Sequence, residues 1–283
     1  MTSSRRRPAK FPLALAPEDR RTLDEVARAH VRAVLAICHG NQSSAARALG
    51  MDRKTLARKI RRWGIAAVVE PRMLTPGSLV AIEGIDGSGI TTQASRLVEF
   101  LNTRGHRALL AAEPSAGDIG KLIRERLGTA SLGQPGALRA LSLLFAADRL
   151  DHFHAVVAPA LAAGITVVAD RWYHSSLAYQ RTGVERDWIM MLNRYTRTPD
   201  VTVFLEISPE VGAARRQAAG RRLELFHGSE SQREVVGGYR LTISELRTEG
   251  ERIEVINGEP AIEQVFASML GALGLEAASS RRR

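Results

Sequence analysis

The stretch Gly84-Ile85-Asp86-Gly87-Ser88-Gly89-Ile90-Thr91-Thr92 follows the apolar run "SLVAIE" and precedes "QASRLVEFL". Its spacing is that of a glycine loop, G-x-x-x-x-G-K-[ST], in which backbone amides cradle phosphate oxygens and the positive end of the next helix adds to the field. The lysine position, whose ammonium would reach the β and γ phosphates, holds Ile90. Gly84, Gly87, Ser88, Gly89, Ile90, Thr91 and Thr92 therefore form a candidate cradle for ATP, with Thr91 suited to ligating Mg2+ beside the phosphates. The amides survive a side-chain change; the lost cation does not. Phosphoryl transfer depends almost wholly on positioning and charge, and one preorganised charge donor is worth about 3 to 4 kcal/mol. Turnover is thus expected to suffer more than nucleotide binding. Isoleucine is also expected to set a branched apolar group where anionic oxygens must sit.

A second chemistry lies in the distribution of charge. Residues 1–72 hold 16 Lys plus Arg against 6 Asp plus Glu, while residues 73–283 hold 24 of each, so the net +10 belongs to the N-terminal quarter. That asymmetry points to a polyanion partner for the first segment alone. Within it, "RTLDEVARAHVRAVLAIC" repeats apolar residues (Leu23, Val26, Ala27, Val31, Val34, Leu35) near a 3.6-residue period, predicting a helix of about four turns. After a Gly40-Asn41 break and a Gly50-Met51 turn comes "DRKTLARKIRRWG", with Asp52 as N-cap and Gly64 as the stop. Helix, tight glycine turn and basic helix make a helix-turn-helix pattern. The stretch "GNQSSAARALGMDRKTLARKIRRWGI", within residues 22–65, resembles the C-terminal DNA-binding module of the Fis family. Arg53, Lys54, Thr55, Arg58, Lys59, Arg61 and Arg62 give a cationic face opposite Leu56, Ile60 and Trp63. Arg53, Lys54, Thr55 and Arg58 are expected in the major groove of double-stranded DNA and the later residues on phosphate. The resemblance further implies a homodimer reading half-sites about one helical turn apart.

The elements around these residues divide the chain into a basic disordered arm (1–20), the helix-turn-helix domain (21–65), a linker with two prolines and a glycine (66–77), an α/β domain (78–276) and a basic tail (277–283). In the α/β domain the runs "SLVAIE", "RALLAAE", "ITVVAD", "VTVFLEI" and "RIEVIN" read as strands separated by segments long enough for crossover helices. A parallel sheet covered on both faces follows, with ligands outside its C-terminal strand ends. No apolar run approaches the roughly 18 residues of a membrane span, and the lone Cys38, expected to serve in packing, agrees with a reducing, cytoplasmic setting.

The motifs "AIEGIDGSG.TTQ", "EPSAGDIGKLIRERL", "LLFAADRLDHFHAVVAPAL", "DRWYHSSLAYQ" and "PDVTVFLEISPEVGAARR", in this order, make the domain resemble the thymidylate kinase family over about residues 77–275. The resemblance implies a P-loop nucleoside monophosphate kinase fold and transfer of a phosphoryl group from ATP, with Mg2+, to dTMP or a related monophosphate. By that resemblance Phe145 stacks on the base and Arg149 bonds its edge, while Tyr179 and Gln180 complete the nucleoside pocket and Glu113 joins the acceptor site. Asp86 lies near the sugar and acceptor phosphate, Arg171 clamps that phosphate, and Asp170 stands near the magnesium. Alone, Phe145 reads as a core residue of "LLFAA", and Arg149 with Asp148 as a surface pair. Arg221 and Arg222, in "RRQAAGRRLELF", fall where the family carries a mobile lid and are candidates to meet the transferring phosphoryl group.

Besides Ile90, Ala112 stands where the family usually has arginine before the Glu-Pro pair, Ser115-Ala116 replaces the usual glycine pair, and "REVVGGY" lacks a common arginine. Two readings follow: a nucleotide-responsive DNA-binding protein whose kinase-like domain transfers weakly or not at all, or a working thymidylate kinase with an appended DNA-binding domain in which Arg221 or Arg222 replaces the lost cation. A third, an architectural DNA protein with a vestigial nucleotide fold, binds neither ATP nor dTMP.

Overall fold

Strand β1 (Leu79–Gly84) is buried at every position, and its side chains divide alternately between two apolar layers. Leu79 and Ala81 join one layer with Val167, Trp172 and Phe204; Val80 and Ile82 join the other with Leu97, Val203 and Met269. A strand buried on both faces needs helices on both, which is why the sheet is parallel with helical crossovers. The computed structural model describes residues 22–37, 42–65, 74–128, 136–220 and 229–275. The expected arm and tail, Cys38, most of the linker, Arg221 and Arg222 lie outside the described residues.

Among the described residues, β1 is joined by β2 (Ala108–Ala112), β3 (Thr166–Asp170), β4 (Val201–Glu206) and β5 (Ile253–Asn257) in one all-parallel sheet of order β2-β3-β1-β4-β5. All five strands are those read from the sequence. Helices α4 (Ile90–Thr103), α5 (Asp118–Leu127), α6 (Ala137–His152), α7 (Ala158–Ala162), α8 (Tyr173–Tyr179), α9 (Arg186–Leu192), α10 (Pro209–Ala218), α11 (Ser229–Thr248) and α12 (Ile262–Leu273) fill the connections, a π-type turn at Phe153–Val157 joining α6 to α7. No helix among the described residues is long and apolar enough to cross a membrane.

Ahead of the sheet, α1 (Leu23–Ile37), α2 (Gln42–Ala48) and α3 (Arg53–Arg62) close around Val31, Leu35, Ala45, Leu56, Ile60 and Trp63. The periodicity placed Leu23 on the buried face of α1, but it begins the helix and is 90% exposed, the end of α3 meeting this turn at Asp24 instead, where Trp63 Nε1 donates to Oδ2 at 2.9 Å. Asp52 caps α3 as expected, accepting from Thr55 N at 2.8 Å, and Gly50 and Gly64 take the positive φ of +65° and +55° that ends a helix cheaply only in glycine.

Candidate nucleotide site and nucleic-acid interface

The register aligns the carboxyl ends of the central strands. Asp170 faces Ile82 across one ladder and Ala112 across the other, so the glycine loop, Glu113 and Arg171 emerge onto one crevice. Steric crowding explains the loop's composition: a Cβ on Gly84 would lie 2.4 Å from Ser88 Oγ, and Gly87, at φ +90°, would press one to 2.5 Å from Gly212 O of α10. The loop from Ile85 to Thr92, together with Glu113, Asp170 and Arg171, lines a cavity of about 660 Å³. Ser88 Oγ is buried there without a hydrogen-bond partner, while Thr91 and Thr92 are exposed in the first turn of α4. Ile90 borders the cavity but is only 5% exposed and joins the layer of Val80, Ile82 and Leu97. The expectation that it stands among the phosphate oxygens is corrected accordingly: its apolar surface is drawn mainly into the core beneath the cradle.

A smaller cavity of about 130 Å³ continues from this one, lined by Asp86, Glu113, Phe145, Arg171, Tyr179 and Gln180 among others. Six of the residues assigned to the acceptor are thus brought together. Arg149 is not a surface residue: it is 1% exposed, with Nε donating to Glu113 Oε2 at 2.7 Å, Nη1 to Asn193 Oδ1 at 2.5 Å and Nη2 to Ser176 Oγ at 3.3 Å. Nor does it pair with Asp148, which accepts instead from Ser115 N and Oγ at 2.7 and 2.5 Å. A buried guanidinium must have its donors met, and this one meets them beneath the pocket rather than at the surface.

Burial pushes the Glu113 carboxyl up to about 7, with the Arg149 guanidinium pulling in the opposite direction, and its Oε1 is buried without a partner. A folded-state value above the unfolded 4.5 means that the native chain keeps a proton the unfolded chain releases. The resulting stability is fully present below pH 4.5 and is lost as pH rises through about 7. Urea denaturation of Glu113→Gln across that window is expected to show a flatter pH dependence than the parent; parallel curves would contradict the protonation.

Arg171 adopts φ +71°, an uncommon conformation for a residue other than glycine, of the kind that concentrates at functional sites. Its Nη2 donates to Asp86 Oδ1 at 2.5 Å, and Nη1 to Gly84 O at 2.9 Å and to Ser175 Oγ and Tyr239 OH at 3.2 Å. Beneath it Glu83 accepts from Trp172 N, Ser175 Oγ and Tyr239 OH at 2.7, 2.7 and 2.9 Å. The guanidinium is therefore held in place before any anion arrives. Sequence reasoning missed Glu83, Ser175 and Tyr239; the available signal was a carboxylate closing an otherwise apolar strand. It also missed Arg215 and Arg216 of α10, which line the larger cavity, Arg215 donating to Gly258 O and Glu259 O at 2.9 and 2.8 Å and Arg216 to Asp86 O at 2.5 Å.

Thr91 and Asp170 line the same cavity, and hydroxyl and carboxylate are the hard oxygen donors that Mg2+ takes. No cluster of three or more His, Cys, Asp or Glu among the described residues could hold a metal by itself.

On α3, Lys54, Arg58, Arg61 and Arg62 are exposed, Thr55 is half-buried, and Lys59 Nζ lies 4.8 Å over the Trp63 ring. Arg53 differs from these, reaching across to the α/β domain with Nη1 3.1 Å from Glu251 Oε1.

The profile of the family described as "Thymidylate kinase" matches residues 82–269, and that described as "Bacterial regulatory protein, Fis family" matches residues 22–63. A probable thymidylate kinase of Pyrococcus abyssi is 38% identical over 197 residues, covering 69% of this chain and 94% of its own. One from Pyrococcus horikoshii is 34% identical over 197 residues, with the same coverage, and a thymidylate kinase of Synechococcus is 38% identical over 199 residues, 67% of this chain and 91% of its own. With the five-stranded parallel sheet, the glycine loop at the end of its central strand and a match spanning nearly the whole α/β fold, the chain belongs to the thymidylate kinase family and carries a Fis-type helix-turn-helix ahead of that fold.

Proposed function

We propose that this chain is a nucleotide-binding, DNA-binding regulator whose kinase-like domain holds ATP and dTMP, or a related monophosphate, with weak or absent transfer, and that it acts as a homodimer in the cytoplasm. Its working units are the helix-turn-helix of residues 21–65 and the kinase-like domain of residues 78–276. The observation that carries the reading is Ile90, an apolar residue buried at the head of α4 where the glycine-loop motif has lysine, beside the glycine loop that lines the larger cavity. The loop amides and the start of α4 hold the donor phosphates, Arg171 and Asp86 orient the acceptor phosphate and sugar, and Phe145 and Gln180 wall the base. Thr91 and Asp170 would hold Mg2+, which would supply positive charge beside the donor phosphates. No ammonium from the loop shares that task. Arg215, in the same cavity, favours the second reading, an active enzyme converting ATP and dTMP to ADP and dTDP with its missing cation supplied from α10 or from Arg221 and Arg222.

The regulatory reading is tested by titrating duplex DNA with the full chain, with and without saturating ATP and dTMP. A changed DNA affinity is expected, and identical affinities would remove regulation by these ligands. In the same titrations, the double substitution Arg61→Ala/Arg62→Ala is expected to reduce the slope of log affinity against log salt by about 4 for the dimer, since two phosphate contacts are lost in each subunit and each removes about one unit. An unchanged slope would place these arginines off the DNA.

A further inference from the structure

The end of α3 that a helix-turn-helix inserts into the major groove faces the protein's own kinase-like body. Ala46, Met51, Asp52 and Arg53 border a cleft of about 350 Å³ whose other wall includes Tyr173 and Glu251. Arg53 spans it to Glu251, whose side chain is 2% exposed. A second contact lies beside the first, at the close approach of Gln42, the first residue of α2, to Gly250: a Cβ on Gly250 would fall 2.0 Å from Gln42 Oε1. Glu251 is no loose surface acid. It accepts from Tyr173 OH at 2.5 Å and bonds His174 Nε2 at 2.9 Å, both from α8, the helix that begins two residues after Arg171. Burial would raise its carboxyl, but His174, Arg53 and Tyr173 together hold it below the usual range, so it stays an anion for Arg53 to meet.

We infer that this contact is an autoinhibitory dock: the surface of Tyr173, Gly250 and Glu251 takes the α2–α3 turn of the same chain, and DNA must displace it to reach the N-terminal end of α3. The inference rests on the DNA-binding half of the proposed function. Arg53 serves two partners in turn, Glu251 when docked and the polyanion when released. A dock of this kind weakens DNA binding by the fraction of chains that are open.

The test is DNA affinity of the full chain at fixed salt, in the parent, in Glu251→Gln and in Gln42→Trp. Glu251→Gln keeps the volume and removes the charge that anchors Arg53. Gln42→Trp lies outside the kinase-like body, changes no charge and is too bulky for an approach to Gly250 so close that a single added Cβ there would fall 2.0 Å from the Gln42 side chain. Both variants are expected to bind DNA about tenfold tighter, within the usual range of coupling between two sites. Tighter binding in Glu251→Gln alone would reduce the effect to one less negative charge near the DNA and overturn the dock. If Glu251→Gln fails to fold, Gln42→Trp decides alone. Equal affinities in all three proteins would overturn the dock while leaving the DNA-binding reading intact; no binding by any of them at low salt would remove both.

Discussion

Ile90→Lys is expected to raise phosphoryl-transfer turnover by about a hundredfold to a thousandfold, the inverse of the 3 to 4 kcal/mol that loss of one preorganised charge donor costs. The geometry favours the gain. Ile90 is the first residue of α4 and borders the cavity while burying its side chain against Val80, Ile82 and Leu97, so a lysine stem can follow the same apolar surface and deliver its ammonium to the opening. Lost isoleucine packing will cost stability, on the order of 1 to 3 kcal/mol, and a denaturation midpoint should accompany the assay. Single-turnover measurement of ADP with ATP and dTMP reads the effect. A folded variant with no gain would locate further impairment at Ala112 or at Ser115, whose hydroxyl and amide are committed to Asp148.

Arg149→Met is expected to destabilise the fold by about 3 to 5 kcal/mol, the usual penalty for removing one partner of a buried ion pair. Methionine can fill the channel but leaves Asn193 Oδ1 without the Nη1 donor and Glu113, in the wall of the smaller cavity, without the Arg149 guanidinium. The uptake of a proton by Glu113, already raised to about 7, softens the loss below neutral pH, so the penalty should grow as pH rises. Glu113→Gln added to Arg149→Met should recover part of it, because no buried charge then remains at that position; urea midpoints for the two single variants and the double close the cycle. Simple additivity would contradict the pairing.

What the sequence revealed and what it hid follow from the range of the interactions. The five strands were legible because each is a short, largely apolar run bounded by breaks, β-branched in all but β2, and the cap at Asp52 because capping is local. The glycine-rich turn was legible for the same reason: Gly84 to Thr92 is one continuous stretch from the end of β1 into the first turn of α4. Arg149 was not. In "AADRLDH" its helix position gives no sign that Glu113, Ser176 and Asn193, far along the chain, converge to bury it. Arg171 was identified, but the frame that holds it joins Glu83, Ser175 and Tyr239 from three separate elements. Arg53 showed its charge in the sequence and hid its partner, 198 positions later.

The most direct measurement is calorimetric titration of the full chain with ATP and then dTMP in the presence of Mg2+, with ADP followed in the same samples. The expected result is saturable binding of both nucleotides with ADP accumulating far more slowly than the roughly 1 to 100 turnovers per second of ordinary kinases. Turnover within that range would show that Ile90 leaves the chemistry unimpaired, and absence of any binding would show that the cradle beside it no longer takes a nucleotide.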